Sequence, residues 1–174
     1  MKKVISLSLL MCIVLLFAVC KNKGPRETSI EDNIAAHNFK SKKAKLYALA
    51  FDAALRADGG GNSSIEHISI DTKNFKDFKD EDKKELFEYI REKYKATVLD
   101  MSLEELDTAG YIKKSTFEKG VLFYLGKYNS YSATSASFYC VKWSSALGSS
   151  GFYFEGEYKK NKWRIKKFDR TFVS

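Results

Sequence analysis

The residue pattern changes at Gly120, and this change limits the possible fold more than any other feature of the 174-residue chain. From that point to the end, aromatic and β-branched residues dominate and short turn signals separate them, which predicts consecutive strands. We expect four strands, at residues 121–128, 136–143, 151–159 and 163–171. Lys160, Asn161 and Lys162 predict a tight hairpin turn between the last two.

The part of the chain before Gly120 carries mostly helical patterns. Residues 44–57 are rich in alanine and have an apolar face, but the polar stretch before them leaves open one long helix or two shorter ones. Residues 81–94 form an amphipathic helical pattern behind Asp80, and Ser102 with Glu105 has capping-box spacing. Helices followed by antiparallel strands predict an α+β domain, with N-terminal helices packed on one face of a curved C-terminal sheet of about four strands.

The first 20 residues, MKKVISLSLLMCIVLLFAVC, are typical of an export signal. Two lysines precede 16 mainly apolar residues, which would rise about 24 Å as a helix and fall short of the roughly 30 Å bilayer core. Residues 17–20 resemble a bacterial lipobox, in which a small residue precedes an acylated cysteine, so we expect lipid attachment at Cys20. Cleavage after Cys20 and an uncleaved anchor remain alternatives, because Val19 is bulkier than usual and Phe17 replaces the usual leucine.

Three segments follow from this interpretation. We expect a signal peptide at residues 1–19, a flexible lysine-containing tether at 20–29, and one α+β domain at 30–174. Removing 19 of 174 residues leaves 155, enough for one domain with a proper core. Cys12 leaves with the signal peptide and Cys20 carries the lipid, so Cys140 has no disulfide partner. Its aromatic neighbours predict a packed, unreactive thiol.

The charge pattern argues against nucleic-acid binding. The chain has 30 basic and 22 acidic residues, but both signs alternate, as in KDFKDEDKKELFEYIREK, which is typical of a solvated surface. The two histidines, His37 and His67, lie 30 residues apart, and no HExxH, CxxC, GxSxG or phosphate-loop pattern occurs. We therefore expect no cofactor and no metal site, with both histidines on the solvent side.

Aromatic residues are the candidates for a binding site. The possible ligand-facing side chains are Tyr124, Tyr139, Trp143, Tyr153 and Trp163. The simpler interpretation is that a curved sheet fills its interior with aromatic rings. The alternative is a pocket or concave surface for an apolar, sugar or peptide ligand. Aromatic residues occupy both faces of the strand at 151–159, so at least one face is covered by helices or has a role beyond the core.

The stretches ISIDTKNFKDFKDEDKKELFEYIREKY, VLDMSLEELDTAGYI and EYKKNKWRIKKFDRTFVS carry a family resemblance over about half of the chain. They resemble a family of small, uncharacterised bacterial lipoproteins with a cystatin-like or nuclear-transport-factor-like cone domain. The resemblance implies a membrane-tethered domain and assigns no functional residues.

Together these features favour a non-enzymatic, extracytoplasmic lipoprotein that binds a ligand or a partner protein. The expected partners are the membrane, through the lipid anchor, and either a small apolar, sugar or peptide ligand or an envelope protein. Alternatives are a small hydrolase-like enzyme that uses a pocket in the cone, and an immunity-type protein that acts by surface complementarity. A secreted or periplasmic soluble form is the alternative location.

Overall fold

The computed structural model describes residues 30–59 and 64–174, and these residues form an α+β domain. The predicted signal peptide (1–19), the tether (20–29) and Cys20 lie outside the described residues. The helices are α1 (Ile30–Ala36), α2 (Lys42–Ala57), α3 (Asp80–Tyr94) and α4 (Leu103–Thr108). The strands are β1 (His67–Asp71), β2 (Thr97–Leu99), β3 (Ile112–Lys113), β4 (Thr116–Phe117), β5 (Gly120–Tyr131), β6 (Ser135–Ser145), β7 (Gly148–Lys159) and β8 (Lys162–Val173).

The strands form one mixed sheet of eight, larger than the four-stranded sheet that we predicted. The four predicted strands are its long antiparallel part, β5 to β8. On the other side of β5, strand β1 pairs in parallel and then β2 pairs in parallel with β1. The short hairpin β3–β4 joins the end of β6 through Thr116 and Ser145. The added strands are two to five residues long, and local sequence patterns do not show how such short strands pair.

Helix α2 is the centre of the main core. Eleven of its 16 residues are buried, including five alanines, whose small side chains let the helix lie close to its neighbours. Ser41 caps it by accepting hydrogen bonds from the N–H groups of Lys43 and Ala44, at 3.1 Å each. Residues 37–41 separate α1 from α2, so the chain forms two helices here rather than one. The larger side chains of this core come from α2, α3 and the sheet: Tyr47, Phe51, Ile90, Phe123, Phe138, Phe152, Phe154 and Trp163.

A second, smaller core lies on the opposite face of the sheet. There Leu106 of α4 packs with Phe117 of β4 and Leu122 of β5. The alternation of β5 explains the two cores, because Val121 and Phe123 point to the first and Leu122 to the second. Helices therefore cover parts of both faces, which corrects the prediction that all helices pack on one.

Two local predictions from sequence are confirmed, and one shifts by a residue. Lys160 and Asn161 have φ of 50° and 60° and form the two-residue turn between β7 and β8. Ser102 and Glu105 form the capping box of α4. The N-cap of α3, however, is Lys79 rather than Asp80, and the N–H of Lys79 donates to the Asp82 carboxylate at 3.0 Å.

Candidate functional site

The main core covers one face of the long strands, and the other face is open except beside the second core, where α4 and the β3–β4 hairpin cover part of it. In β7, Phe152 and Phe154 point into the main core under the helices and are buried, whereas Tyr153 between them points to the other face. The covered face is filled by the side chains of the chain itself, which leaves the opposite face of β5 to β8, here called the outer face, as the binding surface to consider.

The five aromatic residues singled out from the sequence do not share one face. Tyr124, Tyr139, Trp143 and Tyr153 lie on the outer face, as the registers Tyr124–Val141 and Tyr139–Tyr153 require. Trp163 lies in the main core, 1% exposed, and its Nε1–H donates to the carbonyl oxygen of Lys42 at 2.8 Å. Trp163 therefore anchors β8 to the start of α2.

The outer face carries a ladder of exposed and half-exposed rings. Tyr139 is 50% exposed and faces Tyr153, with ring centroids 5.1 Å apart. The ammonium of Lys167 lies 5.5 Å from the centroid of the Tyr153 ring. Phe172, 46% exposed, packs over Gly151, which has no side chain. We call Tyr139, Val141, Trp143, Tyr153 and Phe172 the outer patch.

At one end, the outer patch continues into an open groove of about 470 Å³. Trp143 forms one wall, and it also packs against the second core. Leu103 and Ile112 add apolar surface, and Glu104, Asp107 and Lys114 add charge. The size is within the range of small-molecule pockets, but those enclose most of their ligand, whereas this groove is open to solvent. An open apolar groove beside exposed rings is suited to a protruding side chain of a partner.

A buried polar cluster between α2 and α3 was not recognised from the sequence. Asp52 is 3% exposed and accepts hydrogen bonds from the hydroxyls of Tyr89, at 2.5 Å, and Tyr94, at 2.6 Å. Its carboxylate also pairs with the Lys93 ammonium, which reaches in from the surface. Burial, and secondarily the Asp52 charge, raise the pKa of both tyrosines well above the ordinary value. The hydroxyls therefore stay protonated and hold the two helices together.

A shallow concavity lies outside this cluster, between α1 and α3. Its walls include Asn33, His37, Tyr89, Glu92 and Lys93. His37 packs its ring on Tyr89, with centroids 5.0 Å apart, so it is half-buried. Tyr89 donates its hydroxyl hydrogen to Asp52, and the Lys93 ammonium gives two of its three N–H groups to Asp52 and the Tyr89 hydroxyl, so most donors here stabilise the cluster. In the sequence, the sign of the Asp52 cluster is an aspartate inside an apolar helix.

The remaining reactive side chains are packed. His67 lies between Tyr111 and Phe117, at ring distances of 5.4 and 6.3 Å, rather than on the solvent side. Cys140 is fully buried, and burial raises the pKa of its thiol. Within residues 30–59 and 64–174, no group of three or more His, Cys, Asp or Glu side chains could hold a metal ion.

Comparisons with protein-family models, curated proteins and solved structures find no match to this chain. None of the described helices is both long and apolar enough to cross a membrane.

Proposed function

We propose that the chain is an extracytoplasmic lipoprotein whose outer patch binds a partner protein. The observation that carries this proposal is the open part of the outer face, where Tyr139 and Phe172 are half exposed beside Trp143 and Tyr153. Aromatic residues are enriched at the centres of protein interfaces, where a few of them supply most of the binding energy.

The shape of the patch favours a protein over an enclosed small ligand. From Tyr139 to Trp143 the patch runs four residues along β6, about 13 Å, and it crosses to β7 and β8 at about 4.8 Å per strand. Charged side chains border it: Lys166 pairs with Glu155 at 2.7 Å and Lys167 with Asp169 at 2.9 Å. An apolar centre with a charged rim is the usual anatomy of a transient interface.

A small apolar or sugar ligand in the Trp143 groove is the second candidate, because indole walls are suited to such ligands. An enzyme is less well supported. The tyrosines with strongly raised pKa values, Tyr47, Tyr89 and Tyr94, belong to the main core rather than to the groove. An immunity-type protein would be one specific case of the proposed protein binding.

The location forms part of the same proposal. We propose that residues 1–19 are a signal peptide and that Cys20 carries lipid, as the lipobox-like sequence indicates. Two acyl chains hold a protein stably on a membrane. A Cys20→Ser variant should then be released from the membrane fraction into the medium or periplasm. Unchanged fractionation of that variant would overturn the lipid attachment and leave the binding proposal standing.

We also propose that the domain has a cystatin-like cone fold. Two observations support it: α2 is buried against the long antiparallel strands, and those strands have bulges, for example between Leu125 and Asn129 in β5 and at Lys166 in β8. Bulges bend strands, which favours a curved sheet around a helix.

The test of the binding proposal is photo-crosslinking in intact cells. A benzophenone amino acid replaces Tyr139 or Phe172 in separate variants, and Glu88, on the exposed side of α3, is the matched control position. We expect the same protein adduct from both outer-patch positions and none from position 88. A Tyr153→Ala change should weaken that adduct strongly, since truncating a hot spot costs about 2 kcal/mol or more, roughly 30-fold in affinity. Absence of an adduct, or the same adduct from position 88, would refute the proposal.

A further inference from the structure

The sheet has two chemically different ends. Strand β6 runs from Ser135, which pairs with Glu157 near the β7–β8 turn, to Ser145, which pairs with Gly148 at the opposite turn. Ten steps along an antiparallel strand span about 34 Å. The Trp143 groove lies at the Ser145 end, because Ser115 and Ile112 of the β3–β4 hairpin line it.

Positive charge collects at the Ser135 end. The turn places Lys159 opposite Lys162, with Lys160 between them. The hydrogen bond from Trp163 to Lys42 brings the first turn of α2 to the same place, and the Lys42 ammonium lies 4.3 Å from the centroid of the Tyr158 ring. We call this surface the basic end, and it consists of Lys42, Lys45, Lys159, Lys160, Lys162 and Arg164.

The balance at this end stays positive when its acids are included. Glu157 pairs with Lys159 at 2.8 Å, and Glu31 and Asp32 of α1 lie beside Lys162. Asp82 and Glu85 of α3 also lie here, bonded to Ser41 beside Lys40 and Lys43, so eight basic residues against five carboxylates leave a local charge of +3 (8 − 5). The positive charges lie close enough together to affect Lys45, because its pKa is lowered first by burial and then by the charge of Lys162.

The described domain also begins at this end. Helix α1 starts at Ile30, and its first turn shares a concavity with residues 162–165 of β8. Residues 21–29, between Cys20 and α1, can span at most about 32 Å. A chain anchored at Cys20 would therefore enter the domain beside the basic end and hold it near the bilayer.

We propose that the basic end docks on the anionic phospholipid headgroups of the membrane that anchors the chain, so that the Trp143 groove points away from that membrane. This inference rests on the proposed anchor at Cys20. The surface potential of an anionic leaflet acts within about one Debye length, roughly 8 Å at physiological salt, and each lysine or arginine held there strengthens docking about fivefold.

Lysine footprinting of the full chain tests this orientation. The chain is reconstituted into phosphatidylcholine vesicles with or without a third of phosphatidylglycerol, floated with them, and acetylated with an uncharged reagent before mass spectrometry. We expect the reactivity of Lys159, Lys160 and Lys162 to fall at least about fivefold in the anionic vesicles and to recover in about 1 M salt. Lys113 and Lys114, at the opposite end of the sheet, serve as internal controls and should not change.

Matched charge-reversal variants separate docking from general attraction. Lys160→Glu with Lys162→Glu should abolish the protection of Lys159, whereas Lys113→Glu with Lys114→Glu should leave it intact. Equal reactivity of Lys159 in both vesicle types, or equal protection of the control lysines, would overturn the proposal. Protection by soluble polyphosphate beside neutral vesicles, without protection by phosphatidylglycerol, would reassign the surface to an anionic polymer.

Flotation separates the docking of the basic end from the proposed anchor at Cys20. A chain that floats with neutral vesicles but shows equal lysine reactivity in both counts against docking and leaves the anchor standing. A chain that floats only with anionic vesicles, with Lys159 protected, supports docking and counts against the anchor. A chain that floats with neither overturns both.

Discussion

Replacing the buried carboxylate of Asp52 should destabilise the domain more than any surface acid can. Asp52→Ala leaves the Tyr89 hydroxyl buried without its acceptor and does the same to the half-buried Tyr94 hydroxyl. Each buried unsatisfied group costs about 1–3 kcal/mol, so about 2 for Tyr89 and about 1 for Tyr94 give roughly 3 kcal/mol. Lys93, 31% exposed, turns to water and adds little.

Urea unfolding measures this loss as a lower midpoint at an unchanged m-value. A double-mutant cycle with Tyr89→Phe should give a coupling of about 1.5 kcal/mol, because the double variant no longer buries the unpaired Tyr89 hydroxyl. Asp107→Ala, an exposed acid of α4, is the control and should stay within about 0.5 kcal/mol of the parent. A loss below about 1 kcal/mol for Asp52→Ala, or a coupling near zero, would refute the idea that this cluster holds α2 and α3 together.

Three further outcomes follow from the packing. Gly120→Ala should cost about 1–3 kcal/mol of the free energy of unfolding, because its Cβ would lie 2.4 Å from the buried ring of Phe117. Above pH 10 the free energy of unfolding should fall steeply, since raised folded-state pKa values make the unfolded chain release protons that the native state keeps. Changing Tyr89 and Tyr94 to Phe should flatten that slope by about 2.7 kcal/mol per pH unit. Cys140 should resist thiol reagents at pH 8 unless the chain is unfolded.

Each of these outcomes has a control. Gly59→Ala tests the backbone contribution, because nothing lies within 4 Å of a Cβ at that position, and equal losses at positions 59 and 120 would contradict the steric argument. An alkaline slope that is unchanged without the two hydroxyls would show that other groups set it. Reaction of Cys140 at the rate of a free thiol in native buffer would contradict its burial.

The sequence predicts elements well where several signals agree over a long stretch. Helix α2 combines alanine-rich composition with an apolar face, and β7 and β8 combine alternation with a turn at Lys160 and Asn161. The parallel pairing of β1 with β5 was not predicted, because 48 residues separate Asp71 from Gly120 and nothing local links them. Short strands gain their stability from long-range packing rather than from their own pattern.

The candidate site was predicted only in part, for a reason that lies in strand geometry. Alternation shows that Phe152 and Phe154 share one face and Tyr153 the other, but it does not show which face the helices cover. Polar residues in the core were missed for a similar reason. Alternation places Lys142 on the same face as Cys140, but a lysine alone gives no sign of burial, and here its ammonium lies 3.0 Å from the carbonyl oxygen of Asp58. Only the partner across the fold explains its position.

The two tryptophans provide the sharpest test of the separation between the two faces. Trp163 is buried in the main core, whereas Trp143 is half-buried beside the open groove. A Trp163→Phe variant should therefore emit at longer wavelength and be quenched efficiently by iodide, because only the groove indole remains. A Trp143→Phe variant should emit at shorter wavelength and resist iodide until urea unfolds it. Equal quenching constants in the two folded variants would mean that the outer face is covered in solution, and the outer patch would then be unavailable to a partner.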